Sequence, residues 1–295
     1  METSALQAFI AVAESGSFSL AGEHLHLTQP AISKRIASLE TQLNTRLFDR
    51  IGRQISLTEA GNTLLPKAYG ILAELEDARR QLNNLKGDVS GSLSLSTSHH
   101  IGLHRLPPIL RQFSRQHPQV ALDIHFVDSE VAYDAVIHGQ IELGIITLAP
   151  EQKARELIHS EKVWRDPLCF VVSNEHPLAQ GNPLSLNELS QYSAIFPGPN
   201  TFTHHIVKGL FNSHHLKLNV SMATNYLETI KMMVSIGLAW SVLPRSMLDD
   251  ELSEIEVIGA ALERDLGYIH HTGRTLSNAA RAFIEILSNH QEAKP

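Results

Sequence analysis

The chain has 295 residues, 43% of them hydrophobic, which is enough for two domains with their own cores. Its net charge is −7, yet nine of the 24 Lys/Arg and nine of the 31 Asp/Glu precede Gly87, so the acid excess lies wholly beyond that point. A lone cysteine, Cys169, excludes an intramolecular disulfide framework. No apolar run reaches bilayer length and the first residues lack a basic leader, so a cytoplasmic protein without membrane contact is expected.

Ala5 to Ala13 keeps helical periodicity through Leu6, Phe9, Ile10 and Ala13. Ser19 to His26 reads as a second helix with Leu20, Ala21 and Leu25 inward, turning through Leu27. In the third, Ile32, Ile36, Leu39 and Leu43 share a buried face, with Thr28 as N-cap and Pro30 in the first turn. The opposite face carries Pro30, Ser33, Lys34, Ala37 and Ser38, with Gln29 at its entrance. These side chains are short or basic, as a helix entering a DNA major groove requires. Gln29 can pair bidentately with adenine, Ser33 suits either partner, and Lys34 or Arg35 reaches guanine or phosphate. The plainer reading is a helical hairpin with a solvated face. Leu47 to Arg50 and Gln54 to Leu57 then alternate like strands around Ile51-Gly52-Arg53. This makes a basic wing, with Arg50 and Arg53 placed for phosphates or a minor groove.

Thr58 to Lys86 is helical, and Leu64, Ala68, Ile71, Leu75, Ala78, Leu82 and Leu85 alternate spacings of four and three. That seam predicts a two-helix coiled coil, against the alternative of one helix packed on its own domain. Gly87 to Gly91 breaks the pattern as a hinge.

Beyond it, strands and helices alternate. Strands are expected at Ser92–Ser98, Val120–Val127, Ile141–Thr147, Leu168–Val172, Tyr192–Phe196, Leu218–Ala223, Leu238–Leu243 and Leu266–His271. Helices are expected at Leu103–Gln116, Glu130–His138, Phe202–His214, Leu227–Ser235 and Leu276–Asn289. The rhythm predicts a parallel sheet with helices on both faces, the final pair returning to the first unit so that the chain crosses twice.

Ligands of such folds bind where strands end and helices begin. Three places fit: Thr97-Ser98-His99-His100, the loop Pro197 to Thr203 with Gly198, Thr201 and Phe202, and Thr147. Ser98 and Thr201 would cradle a carboxylate with nearby amides, or merely cap helices. Asp128 would repel an anion and instead bind an amine or cap a helix; Tyr226 is a further lining candidate. Histidine doublets occur at 99–100, 204–205, 214–215 and 270–271, but neighbours on a strand face opposite ways, so no metal or other cofactor is expected unless several converge. No G-x-S-x-G elbow, phosphate-cradling glycine loop or catalytic cysteine setting is present, so no catalytic residue is assigned.

The N-terminal residues resemble the LysR-type transcriptional regulators. Ser17-Phe18-Ser19, Ala21, Leu25, Thr28 to Ser33, Ile36, Leu39-Glu40, Leu43, Leu47-Phe48, Arg50, Arg53 and Leu57 to Gly61 carry the likeness. Gly22 replaces a common alanine and Asn44 a usual glycine; Gly22 is expected to soften its helix. The likeness continues more weakly through Leu106-Pro107, His117 to Val120, Glu142 to Ile145 and Leu243-Pro244, covering essentially the whole chain. It implies an α/β architecture: a winged helix-turn-helix over 1–58, a dimerising linker helix over 59–86, a hinge at 87–91 and an effector domain over 92–295. That last part would have a periplasmic-binding-protein-like fold, subdomain I covering about 92–163 and 266–295 and subdomain II about 164–265. The implied DNA-binding set is Ser17, Thr28, Gln29, Pro30, Ser33, Lys34, Arg35, Arg50 and Arg53. The implied function is transcriptional control of double-stranded DNA, switched by a small anionic effector between the subdomains. A tetramer built through the α/β domains and contact with RNA polymerase are further expectations. The competing reading is a cytosolic small-molecule-binding protein of the same fold without regulatory DNA contacts.

Overall fold

A computed structural model describes residues 1–51, 54–149, 156–179, 181 and 183–290. The chain divides into two units, one built on Met1–Lys86 and the other on Gly87–Ile137 with Ile141–Pro295.

The first unit runs α1 (Thr3–Ser15), α2 (Phe18–His24), α3 (Gln29–Leu43), β1 (Phe48–Ile51), β2 (Gln54–Leu57) and α4 (Glu59–Asn84). Leu6, Phe9 and Val12 recur at helical spacing, and that face of α1 meets Ala21, Ile32, Ile36, Leu39 and Leu47 in the core. The ring of Phe48 on β1 lies 5.4 Å from Phe9 and 6.0 Å from Phe18, which anchors the antiparallel β1–β2 wing to the helices. The Glu40 carboxylate accepts the Leu47 N–H at 2.7 Å, and Asn44 ends α3 in the left-handed region at φ 49°.

Three expectations for this unit change. Leu20 is 48% exposed, because α2 spans only seven residues and Phe18, Ala21 and Gly22 fill its inner face. Gly22 does more than soften α2: a Cβ there would lie 2.7 Å from the Leu27 carbonyl oxygen, so the tight α2–α3 turn needs the missing side chain. The heptad of α4 is split. Leu64 and Ala68 pack into the unit's own core, whereas Leu75, Leu82 and Leu85 stand 44%, 66% and 83% exposed.

The second unit opens with β3 (Gly91–Thr97), α5 (His99–His104), α6 (Pro107–Gln116), β4 (Val120–Phe126), α7 (Ser129–His138) and β5 (Leu143–Thr147). It continues with β6 (Ile158–Ser173), α8 (Leu186–Leu189), β7 (Ala194–Phe196), α9 (Phe202–Ser213), β8 (Val220–Ala223) and α10 (Leu227–Ser235). It closes with β9 (Ser241–Pro244), β10 (Leu252–Ile255), β11 (Leu262–His271) and α11 (Asn278–Asn289). The single expected helix 103–116 is two helices, since Pro107 and Pro108 at the start of α6 cannot continue α5.

The strands pair in the order β10-β6-β11-β5-β3-β4, with β9 also on β6, and β7 with β8 in a small separate sheet. β3 is parallel to β4 and β5, but β6 and β11 pair antiparallel with every neighbour. The expected all-parallel sheet is therefore mixed. Its physical reason is the long ribbon: β6 leaves a first lobe and β11 returns to it, side by side, so no helical crossover is needed between them. A bulge at Leu266/Gly267 bends the ribbon, and a Cβ on Gly267 would fall 2.1 Å from the Glu161 carbonyl oxygen.

One lobe packs Leu93, Leu95, Ile109, Phe113, Ile145 and Phe283; the other packs Phe170, Phe196, Phe211 and Trp240. Trp240 stacks on Phe211 at 5.9 Å while its indole N–H donates to the Tyr192 carbonyl at 3.0 Å. Cys169 is buried in β6. Among the described residues no helix is long and apolar enough to cross a membrane.

Gly22→Ala should destabilise the first unit by ~1–3 kcal/mol, because the clash is with backbone that cannot rotate away. Urea denaturation followed by circular dichroism checks this; an unchanged midpoint would mean that the turn relaxes freely.

Candidate DNA interface and effector cleft

On α3, Gln29, Pro30, Lys34, Ala37 and Ser38 are exposed, Ser33 and Arg35 are half-buried, and Ile32, Ile36 and Leu39 are fully inside. The Gln29 amide donates to the Ser33 hydroxyl at 3.0 Å, so two candidate base-reading groups hold each other at the helix entrance. Thr28 is the N-cap residue, as expected, in extended backbone, but its side chain makes no capping hydrogen bond. The first N–H groups of α3 therefore remain available to an anion such as a phosphate. Ser17 does cap α2, accepting the Leu20 N–H at 3.3 Å. Arg50 lies on β1 opposite Ile55, though its side chain and all of Arg53 fall outside the described residues.

The second unit carries a cleft of about 500 Å³ between its lobes, lined by His99, Phe126, Asp128, Gly198, Asn225 and Tyr226 among others. A smaller cavity of about 50 Å³ lies beside it and shares His99, Asp128 and Asn225. Ser98, His100, Glu130, Thr147, Thr201 and Arg264 are among its other lining residues. Eight of the ten expected effector residues thus come together: Ser98, His99, His100, Asp128, Thr147, Gly198, Thr201 and Tyr226. Thr97 and Phe202 line neither cavity. Thr97 is buried within the strand, and the Phe202 ring turns toward Tyr133 at 6.3 Å.

Both hydroxyls expected to cradle a carboxylate are engaged as helix caps. Ser98 accepts the Ile101 N–H at 3.5 Å; Thr201 accepts the His204 N–H at 3.3 Å and donates to the Gly198 carbonyl at 2.8 Å. The residue on the first free amide of α9 is one that sequence reasoning missed. The Glu130 carboxylate, from α7 on the first lobe, accepts the Phe202 N–H at 2.5 Å. Burial pushes the Glu130 carboxyl above the ordinary range. Beside it Asn225 bridges the lobes, donating to Asp128 at 2.5 Å and accepting the Gly198 N–H at 2.8 Å. The His99 ring sits 4.9 Å from Tyr226 and 5.6 Å from Phe126.

Beneath the small cavity, Arg264 on β11 and Asp166 on β6 are directly opposed cross-strand partners, with Nε donating at 2.7 Å. Arg264 also donates to Thr203 at 2.8 Å, and Arg105 approaches Asp166 at 3.7 Å. The clue available in the sequence was charge inside apolar strands, Arg165-Asp166 and Glu263-Arg264-Asp265, which only the register could pair.

Residues 3–62 match the family described as "Bacterial regulatory helix-turn-helix protein, lysR family", and residues 86–292 match "LysR substrate binding domain". An uncharacterized HTH-type transcriptional regulator in the ibpB-leuC intergenic region of Azotobacter vinelandii is 73% identical over 108 residues, 37% of this chain and 75% of that one. The uncharacterized HTH-type transcriptional regulator YeiE of Escherichia coli K12 is 33% identical over 95% of this chain and 94% of its own. The structure of full-length CbnR complexed with its target DNA superposes with a TM-score of 0.63 at 23% identity, covering 98% of this chain and 100% of that chain. Its relatives are regulators of transcription rather than enzymes. The chain belongs to the LysR family of bacterial regulatory helix-turn-helix proteins: a DNA-binding transcriptional regulator that carries an effector-binding domain.

Proposed function

We propose that α3 enters the major groove with Gln29, Ser33 and Lys34 reading bases, while Ser17, Thr28, Pro30, Arg35, Arg50 and Arg53 position the phosphate backbone. The short, polar outer face of α3 and its open N-terminus support this division. The exposed Leu75 and Leu82 on α4, continued by Leu85 at its C-cap, support dimerisation through that helix, which would put two α3 helices on two half-sites. A tetramer through the effector domains, contact with RNA polymerase and a cytoplasmic setting complete the proposal.

The effector reading rests on one observation: the Glu130 carboxylate already sits on the α9 N-terminal amide, across the gap between lobes. A chain's own carboxylate in that seat supports an anion as the effector, bound by displacing Glu130 from Phe202. The adjacent cleft of about 500 Å³ suits a small molecule. Displacement removes a bond between the lobes, so the ligand and the lobe contact compete for one donor. Such competition gives the differential affinity for two states that any switch needs.

Replacing Glu130 by Gln keeps the shape but removes the competing charge. An anionic effector identified by thermal-shift screening of carboxylates should then bind about tenfold tighter, ~1.4 kcal/mol, by calorimetry. Weaker or unchanged binding would place the anion elsewhere.

Gln29→Ala should flatten the base preference by ~1–3 kcal/mol at one operator position, whereas Arg53→Ala should weaken all sequences and reduce the salt slope. Fluorescence anisotropy on a panel of operator variants separates the two; the opposite pattern would reverse the assigned roles.

Leu75→Asp puts a charge into the α4 stripe, and dimers and operator binding should be lost together. Analytical ultracentrifugation finding an intact dimer would move the interface off α4.

A further inference from the structure

Adjacent histidines make poor chelates, but α5 also carries histidines four residues apart. His100 and His104 share one face of that helix, with ring centroids 4.8 Å apart. Glu228, in the first turn of α10 on the second lobe, brings Oε1 within 3.1 Å of His104 Nε2. One ligand atom from each of the three lies within 4.8 Å of the others. His100 is the anomalous member. It is only 4% exposed, and neither ring nitrogen has a hydrogen-bond partner. Buried polar atoms are bonded as a rule, so two orphaned nitrogens on one ring call for an occupant.

We infer that His100, His104 and Glu228 form a site for a divalent transition metal of the zinc class, tying α5 of one lobe to α10 of the other. The donor set, two imidazoles and a carboxylate with room for water, is one that zinc takes in open sites, and imidazole disfavours magnesium or calcium. Two histidines at i and i+4 on a helix form a well-known chelating pair. The two arginines nearby are both paired with Asp166, and Glu228 brings the negative charge to the site itself. The side chains of His104 and Glu228 are 42% and 40% exposed, which opens the site to solvent ions. Side-chain rotation need only contract the set to the ~2.0–2.2 Å bond lengths of zinc with nitrogen and oxygen. His100 also lines the small cavity beside Glu130, but the metal uptake read below does not depend on an anion displacing Glu130 from Phe202.

The test is calorimetric titration of the tag-free full chain with zinc chloride, repeated with cobalt chloride to read ligand-field absorption. Wild type should take up one ion per chain saturably. His104→Ala and Glu228→Gln, both at exposed positions, should each weaken it roughly 10–100-fold or more. His214→Ala, an exposed histidine elsewhere, should leave binding unchanged. Absence of saturable binding, or equal affinity in all three variants, would overturn the assignment.

Discussion

Where β6 and β11 pass between the lobes, Asp166 and Arg264 meet as buried cross-strand partners. A charge in that position is tolerable only while it is answered, and removing one member of such a pair typically costs ~3–5 kcal/mol. The knot extends beyond the ribbon. Arg264 reaches Thr203 in the first turn of α9, and Arg105, just past α5, reaches Asp166. The helices that line the cleft are thus fastened from below to the strands that join the lobes. Their openings face upward, where Asp128, Glu130 and Asn225 span the gap with single hydrogen bonds.

That division between a fixed floor and lightly bridged walls is what a ligand-responsive domain requires. Among the described residues, motion that left the ribbon intact would break the bonds from Asp128 to Asn225, Glu130 to Phe202 and His104 to Glu228. Each is made by residues from different lobes, and each can be exchanged for a bond to a guest. Helix-turn-helix modules solve a different problem. The first unit needs rigidity, and Phe48 between Phe9 and Phe18 supplies it by making the wing part of the helical core. Because that unit carries no net charge, its affinity for nucleic acid depends on where its few cations stand more than on bulk attraction.

Much of this was legible in the sequence, for reasons that differ between the parts. The apolar period of Ile32, Ile36 and Leu39 sets α3; it is local and was read directly. Leu20 misled because an apolar residue in a seven-residue helix has little face to share. The sheet was read as parallel because alternation of strands and helices carries no sign of strand direction across a long return. At the cleft, strand ends and helix starts pointed to eight lining residues. Glu130 and Arg264 escaped, since each takes its meaning from a partner 72 and 98 residues away respectively.

The buried position of Cys169 has its own consequence for the reactivity of its thiol. Burial pushes its thiol up to about 11, and its Sγ–H faces the Leu243 carbonyl at 3.5 Å. That direction favours the neutral thiol over the thiolate, the form that peroxides and alkylating agents attack. With no second cysteine in the sequence, Cys169 has no partner for an intramolecular bridge. Cys169 thus serves β6 as a small apolar packing residue.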